Sequence, residues 1–134
     1  MIISGKTKLA GVLGWPVSHS RSPRLHGYWL DQAKIDGVYL PLPVRSEDFA
    51  RVLQSLPQMG FVGANVTLPH KEHALSLVDL VEPLAARIGA VNTLLFHTDG
   101  SIEGRNTDAF GFLANLQQNQ PKFHAHQAPA VILG

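Results

Sequence analysis

Cysteine is absent from the 134 residues, which excludes a disulfide framework and thiolate metal sites. Long apolar runs are missing too. None approaches the ~20 residues of a membrane span, so no membrane association is expected. Nor does either sign of charge dominate. The net charge is +1, with a balance of +3 over residues 1–67 and −2 over residues 68–134. Neither half carries a basic stripe, which argues against a nucleic-acid partner. The first thirteen residues have no basic stretch ahead of a long apolar one, so no secretory leader is expected and the cytoplasm is the default compartment. What is present is ordinary globular material, 45% apolar and 16% charged, well away from the composition of disorder. A chain of this length forms one domain that buries about 65–70% of its unfolded surface.

Residues 7–14 are apolar, end in glycine and read as a buried strand. Beyond a loop, Ser22-Pro23 places a hydroxyl at a helix N-cap and proline at the first helical position. Leu25, Tyr28, Trp29 and Ala33 then share one helical face. Residues 38–44 form a second strand. Pro41 and Pro43 cannot donate to a ladder, so this strand belongs at a sheet edge. Ser46 is placed to cap a helix in which Phe49, Val52, Leu53 and Leu56 recur at helical spacing. Residues 61–66 give a third strand. Pro69 suits the first position of a helix running to about Val78, and residues 83–88 a shorter one stopped by Gly89. Two further strands, 91–97 and 101–105, flank the hairpin signal Asp99-Gly100. Asn106-Thr107-Asp108 offers capping side chains to a helix ending near Gln118. Residues 118–129 resemble a linker, and Ala130-Val131-Ile132-Leu133 begins another strand. Alternation of this kind predicts a three-layer α/β/α domain: a mostly parallel, mixed sheet with helices on both faces.

Ligands of open α/β sheets bind beyond the carboxyl ends of the strands, and the least expected polar residues of this chain gather at those points. The first strand leads into Ser18-His19-Ser20-Arg21-Ser22, the third into Asn65-Val66-Thr67-Leu68-Pro69-His70-Lys71, and the hairpin into Asn106-Thr107-Asp108. Together they offer hydroxyls, amides, one amine and one carboxylate, an inventory suited to a small polyhydroxylated anion. Plainer roles exist for several of them. Ser22 and Thr67 can serve as helix caps, and Asp108 as a first-turn carboxylate. Ser20 has no evident local task. Lys71 in the first turn of a helix opposes the dipole by roughly 0.3–1 kcal/mol, and Asn92 inside an apolar strand runs against propensity. His70 and His73 are three apart, and His124 alternates with His126. Neither pair has a third ligand nearby, and no metal site is expected.

Four blocks in one order resemble the shikimate dehydrogenase family. Gly14-Trp15-Pro16-Val17-Ser18-His19-Ser20-Arg21-Ser22-Pro23 is similar to its substrate loop. Gly63-Ala64-Asn65-Val66-Thr67-Leu68-Pro69-His70-Lys71 is similar to its catalytic-lysine segment. Gly89-Ala90-Val91-Asn92-Thr93-Leu94 and Gly104-Arg105-Asn106-Thr107-Asp108 resemble two further blocks. The resemblance implies an oxidoreductase that interconverts 3-dehydroshikimate and shikimate with NADP(H), on the route to chorismate and the aromatic amino acids. By position, Ser20, Ser22 and Thr67 would hold the substrate carboxylate, and Asn92 and Asp108 its ring hydroxyls. Lys71, paired with Asp108, would be the acid–base residue. Ala109 departs from the glycine usual in the family, beyond the contacting side chains.

The resemblance further implies a division of the chain. Residues 1–118 would be the substrate-binding domain. Residues 119–134 would be a linker and the first strand of an NADP-binding Rossmann domain that forms this chain's C-terminal partner, with no cofactor-binding residue within the 134. A chain cut there is expected to bind substrate without turning it over. The alternatives are a quinate/shikimate-type dehydrogenase, a non-catalytic binding module for shikimate-like acids, and an unrelated α/β domain whose polar loops only cap helices.

Overall fold

The computed structural model describes residues 3–124, 126, 128–131 and 133. Its elements follow in chain order: β1 (Lys8–Gly14), α1 (Ser22–Gln32), β2 (Gly37–Pro43), α2 (Phe49–Ser55), β3 (Phe61–Val66), α3 (Lys71–Leu75), β4 (Leu80–Val81), α4 (Pro83–Ile88), β5 (Thr93–Phe96), β6 (Ile102–Arg105) and α5 (Asp108–Asn119). Single 3-10 turns precede and follow α2.

The strands make one mixed sheet in the order β2-β1-β3-β5-β6-β4. β1 pairs in parallel with β2 and β3, and β4 with β6, whereas β5 runs antiparallel to both β3 and β6. β2 lies at an edge, the position its two prolines require. The connection from β5 to β6 turns at Gly100, whose φ of 89° favours glycine.

Alternation along β1 divides the apolar side chains between two faces. Leu9 and Leu13 join Phe49 and Leu53 of α2, Ala74 of α3, Ala85 of α4, and Ala64, Val66 and Leu94 of the sheet in the larger core. Ala10 and Val12 face the other way, against Tyr39, Val17 and Leu30 of α1. Helices therefore cover both faces, as the α/β reading requires. The spacing over α2 works as expected: Phe49, Leu53 and Leu56 are buried and Val52 packs against the same core. Among the described residues no helix is long and apolar enough to cross a membrane.

Several local expectations are corrected. The cap of α1 is Arg21, so Ser22 and Pro23 lie one place further into the helix. Ser46 opens a 3-10 turn without a capping bond. The helix after Pro69 begins at Lys71 and ends at Leu75, far short of Val78. The chain needs the following residues for β4, which hydrogen-bonds in parallel with β6 and was not foreseen. In α1, Leu25, Tyr28, Trp29 and Ala33 are exposed, and it is Leu30 and His26 that meet the sheet side. The apolar stripe of this helix therefore faces away from the core built by these residues. Ala130, Val131 and Leu133 carry no strand, while Ile132 lies outside the described residues.

Phe49 is the largest fully buried side chain and its ring stacks on that of His70, centroids 4.2 Å apart. Phe49→Ala is expected to remove about 3–5 kcal/mol of stability. Urea unfolding checks it: the midpoint should fall with the slope unchanged. A loss below about 1 kcal/mol would mean that the core closes over the gap.

Candidate functional site

The sheet's strand directions decide where the site lies. β1, β3 and β6 point the same way, so their carboxyl ends share one edge of the sheet. β5 is antiparallel, which puts its beginning at that same edge: Thr93 pairs with Asn65 at the end of β3 and with Arg105 at the end of β6. Three loops and one strand start therefore meet in a row. A polar cleft of about 270 Å³ opens there, lined by Ser22, Thr67, Lys71, Asn92 and Asp108, with His26, Asn65 and Thr107. A larger groove of about 420 Å³, beside Leu42, Val52, Leu56 and Met59, is mainly apolar. Chemistry rather than size picks out the first cleft.

Each wall of the cleft has a local cause. Gly14 ends β1 directly beneath Thr67, and a Cβ there would run into the Thr67 methyl group and crowd the Leu68 carbonyl. The close approach is held by Thr67 N–H donating to the Leu13 carbonyl at 2.9 Å and Trp15 N–H to the Leu68 carbonyl at 3.0 Å. The turn 67–70 is closed by His70 N–H donating to the Thr67 carbonyl. Thr67 caps no helix here, because α3 starts only at Lys71. At the first loop Ser22 is not the cap, and Ser20 has a local task that the sequence did not show. The Ser20 hydroxyl accepts the N–H of Ser22 at 3.3 Å, supporting the start of α1. Ser22, relieved of capping, lines the cleft. Ser20 stands two residues from it in the same turn, half-buried.

Asn92 organises the opposite wall. It sits just before β5 rather than within it and is buried. Its Nδ2 donates to Asp108 Oδ1 at 2.8 Å and to Thr107 Oγ1 at 3.0 Å, while its Oδ1 accepts the N–H of Thr107 and the hydroxyl of Thr93, both at 2.9 Å. Three of these partners are side chains and one is backbone. Asn106 supplies the cap of α5, its Oδ1 accepting the N–H groups of Asp108 and Ala109. Asp108 Oδ2 then receives Lys71 Nζ at 2.5 Å. The Lys71 and Asp108 side chains are 29% and 52% exposed. So open a pair contributes at most about 1 kcal/mol to stability. Ser22, Lys71 and Asp108 each occupy the first position of their helices. The positive ends of α1 and α5 thus lie at the cleft and favour an anion there.

The structure brings Ser22, Thr67, Lys71, Asn92 and Asp108 into one cleft and leaves Ser20 at its rim. Asn65, Thr107 and His26 line it as well and were not singled out from the sequence. Asn65 carried the same signal as Asn92, an amide where a strand should be apolar. His70 has a core role: it is buried, stacked on Phe49, and its Nε2 donates to the Val44 carbonyl at 2.7 Å. His73 tilts against the same ring. Among the described residues no group of three or more His, Cys, Asp or Glu is arranged to hold a metal ion.

A mixed sheet with helices on both faces and a polar cleft across its strand ends defines a small-molecule-binding α/β domain. Residues 12–94 match the family model of the shikimate dehydrogenase substrate binding domain, and the chain belongs to that family. It is 61% identical over 132 residues to the shikimate dehydrogenase (NADP(+)) of Paramagnetospirillum magneticum, covering 98% of this chain and 48% of the relative. Among solved structures, shikimate dehydrogenase from Aquifex aeolicus superimposes with a TM-score of 0.86 at 38% identity, over 90% of this chain and 45% of that one. The Thermus thermophilus enzyme in complex with NADP(H) and shikimate gives 0.79 at 42%, over 84% and 42%. The chain thus spans about half the length of the curated relatives it matches.

Removing the Asn92 side chain leaves Asp108, Thr107 and Thr93 each short of a partner. Asn92→Ala is expected to cost about 1–3 kcal/mol. Hydrogen exchange localises the effect: protection should fall at the start of α5 and stay level in α2.

Proposed function

We propose that this chain is the substrate-binding half of a shikimate dehydrogenase, which reversibly reduces 3-dehydroshikimate to shikimate with NADP(H) in the cytoplasm, on the route to chorismate and the aromatic amino acids. The observation that carries it is the Lys71–Asp108 pair, held by Asn92 beside Ser22 and Thr67 in one polar cleft. In the proposed complex Ser20, Ser22 and Thr67 take the substrate carboxylate, helped by the positive end of α1. Asn92 and Asp108 take ring hydroxyls. Lys71 moves the proton: in the reducing direction Nζ gives it to the carbonyl oxygen as the carbon gains a hydride, and in the oxidising direction it takes it back. Asp108 holds Nζ in place and balances its charge.

NADP requires a glycine-rich turn between a strand and a helix for its phosphates. The turns at this cleft are built on Ser20, Thr67 and Asn106 instead, and the cleft does not fit the dinucleotide. The hydride therefore comes from a cofactor that we assign to a Rossmann domain following residue 118, with residues 119–134 as linker and, once paired with that domain's sheet, its first strand. The length of the relatives supports this division. In that reading residues 1–118 bind, orient and exchange the proton.

Steady-state kinetics of the full-length protein test the assignment. Lys71→Ala should lower kcat by roughly 10²–10⁴ with a smaller change in KM, as loss of a positioned acid–base group does. Ser20→Ala should do the reverse, weakening binding by about 1 kcal/mol while kcat holds, because a carboxylate contact is equal in ground and transition states. If Lys71→Ala raised KM alone, the lysine would be a binding group and the proton would need another donor.

A further inference from the structure

Tyr39 is the one polar side chain in the smaller apolar cluster, among Val12, Val17, Ala10 and Leu30. Phenylalanine would pack there equally well, so the hydroxyl calls for an explanation. It lies on β2, two strands from the cleft. Its neighbour in register on β1 is Ala10, whose small side chain leaves room for the phenol to pass over that strand. Tyr39 Oη donates to Asn65 Oδ1 on β3 at 2.7 Å. The ring is held flat against His26, centroids 4.0 Å apart and planes 9° from parallel, and His26 Nδ1 donates to the Ser22 carbonyl at 2.9 Å.

From Asn65 the hydrogen bonds continue in one direction. Asn65 Nδ2 donates to Thr93 Oγ1 and to the Asn92 carbonyl, each at 3.2 Å. Thr93 Oγ1 donates to Asn92 Oδ1, and Asn92 Nδ2 to Asp108 Oδ1. The last acceptor is the carboxylate that holds Lys71. The polarity is forced. The Asn92 carbonyl can only accept, so Asn65 must turn its NH₂ toward it and its oxygen toward Tyr39. Donation by Tyr39 satisfies that oxygen and locks the Asn65 amide. The amide in turn orients the Thr93 hydroxyl toward Asn92 Oδ1, where it joins the N–H of Thr107 in keeping the Asn92 NH₂ for Asp108. Bonds aligned head to tail in this way strengthen one another. Burial pushes the Tyr39 hydroxyl well above its usual range, so the head of the chain stays a donor at any working pH.

We propose that Tyr39 is a positioning residue for the Lys71–Asp108 pair, acting through Asn65, Thr93 and Asn92. The proposal rests on the functional reading above for what the pair does, but the relay itself can be read without turnover.

The test uses the full-length protein and three variants. Tyr39→Phe keeps the ring and its stack and removes only the donor. Thr93→Val cuts the same relay further on. Leu30→Ala loosens the apolar cluster without touching the relay. Both relay variants should lower kcat for shikimate oxidation about 3- to 10-fold with KM within about twofold, and the double variant should lose no more than either alone. Leu30→Ala should lower the unfolding midpoint and leave kcat as it was. Side-chain amide resonances of Asn65 and Asn92 should shift in Tyr39→Phe and not in Leu30→Ala. Unchanged kcat with an unmoved Asn92 resonance in Tyr39→Phe would overturn the relay. So would additive losses in the double variant, or an equal loss of kcat in Leu30→Ala. A wild-type protein that turns over no shikimate would sink the functional reading instead, and the Asn92 resonance would still decide the relay.

Discussion

Asn92 is the joint on which the site depends. Its N–H donates to the Arg105 carbonyl of β6 and its own carbonyl accepts the N–H of Val66 in β3, so its backbone ties the two strands flanking β5. The preceding residue, Val91, donates to the Lys71 carbonyl. One short segment thereby fixes the distance between the start of α3 and the end of β6. The side chain then sets Thr107 and Asp108 at the start of α5. This is possible only because β5 runs against its neighbours. A parallel strand in that place would begin at the far edge of the sheet, and no residue at its start could reach the carboxyl ends of β3 and β6.

Much of this was legible before the structure, for physical reasons that differ by element. β3, α4 and the hairpin between β5 and β6 carry local signals at both ends. Examples are Gly89 in the left-handed conformation at the end of α4 and Gly100 in the turn. Such signals need no tertiary information. Asn92 and Lys71 stood out because each opposed its local setting, an amide in an apolar run and a cation at a helix start. What was lost depended on contacts between distant segments. β4 has two residues and exists only because β6 offers a free edge. α3 is short because its successor residues serve that strand. The apolar residues of α1 gave the right helix and the wrong face, since periodicity reports that a stripe exists and not what covers it. Ser22 misses the cap position by one residue, less than any capping pattern resolves. Tyr39 gave no signal at all: a tyrosine in an edge strand is ordinary, and its meaning lies in Asn65, 26 positions away.

The placement of Lys71 shows what the local rules yield to. At the first position of α3 its charge meets the amides of the helix start, an arrangement that costs a fraction of a kcal/mol. Asp108 offsets it across the cleft, and the Asp108 charge is itself favourable at the start of α5. The two charges together thus leave the helix ends close to neutral in energy, while each alone would shift them. Neither side chain is buried enough for the ion pair to be a source of stability. Its geometry is instead held from behind by hydrogen bonds of the neutral Asn92 amide. The proton transfer proposed for Lys71 needs that separation. If the charge pair alone fixed the geometry, every change of protonation would release it. With the carboxylate anchored through an amide, Asp108 stays where it is whatever its partner does.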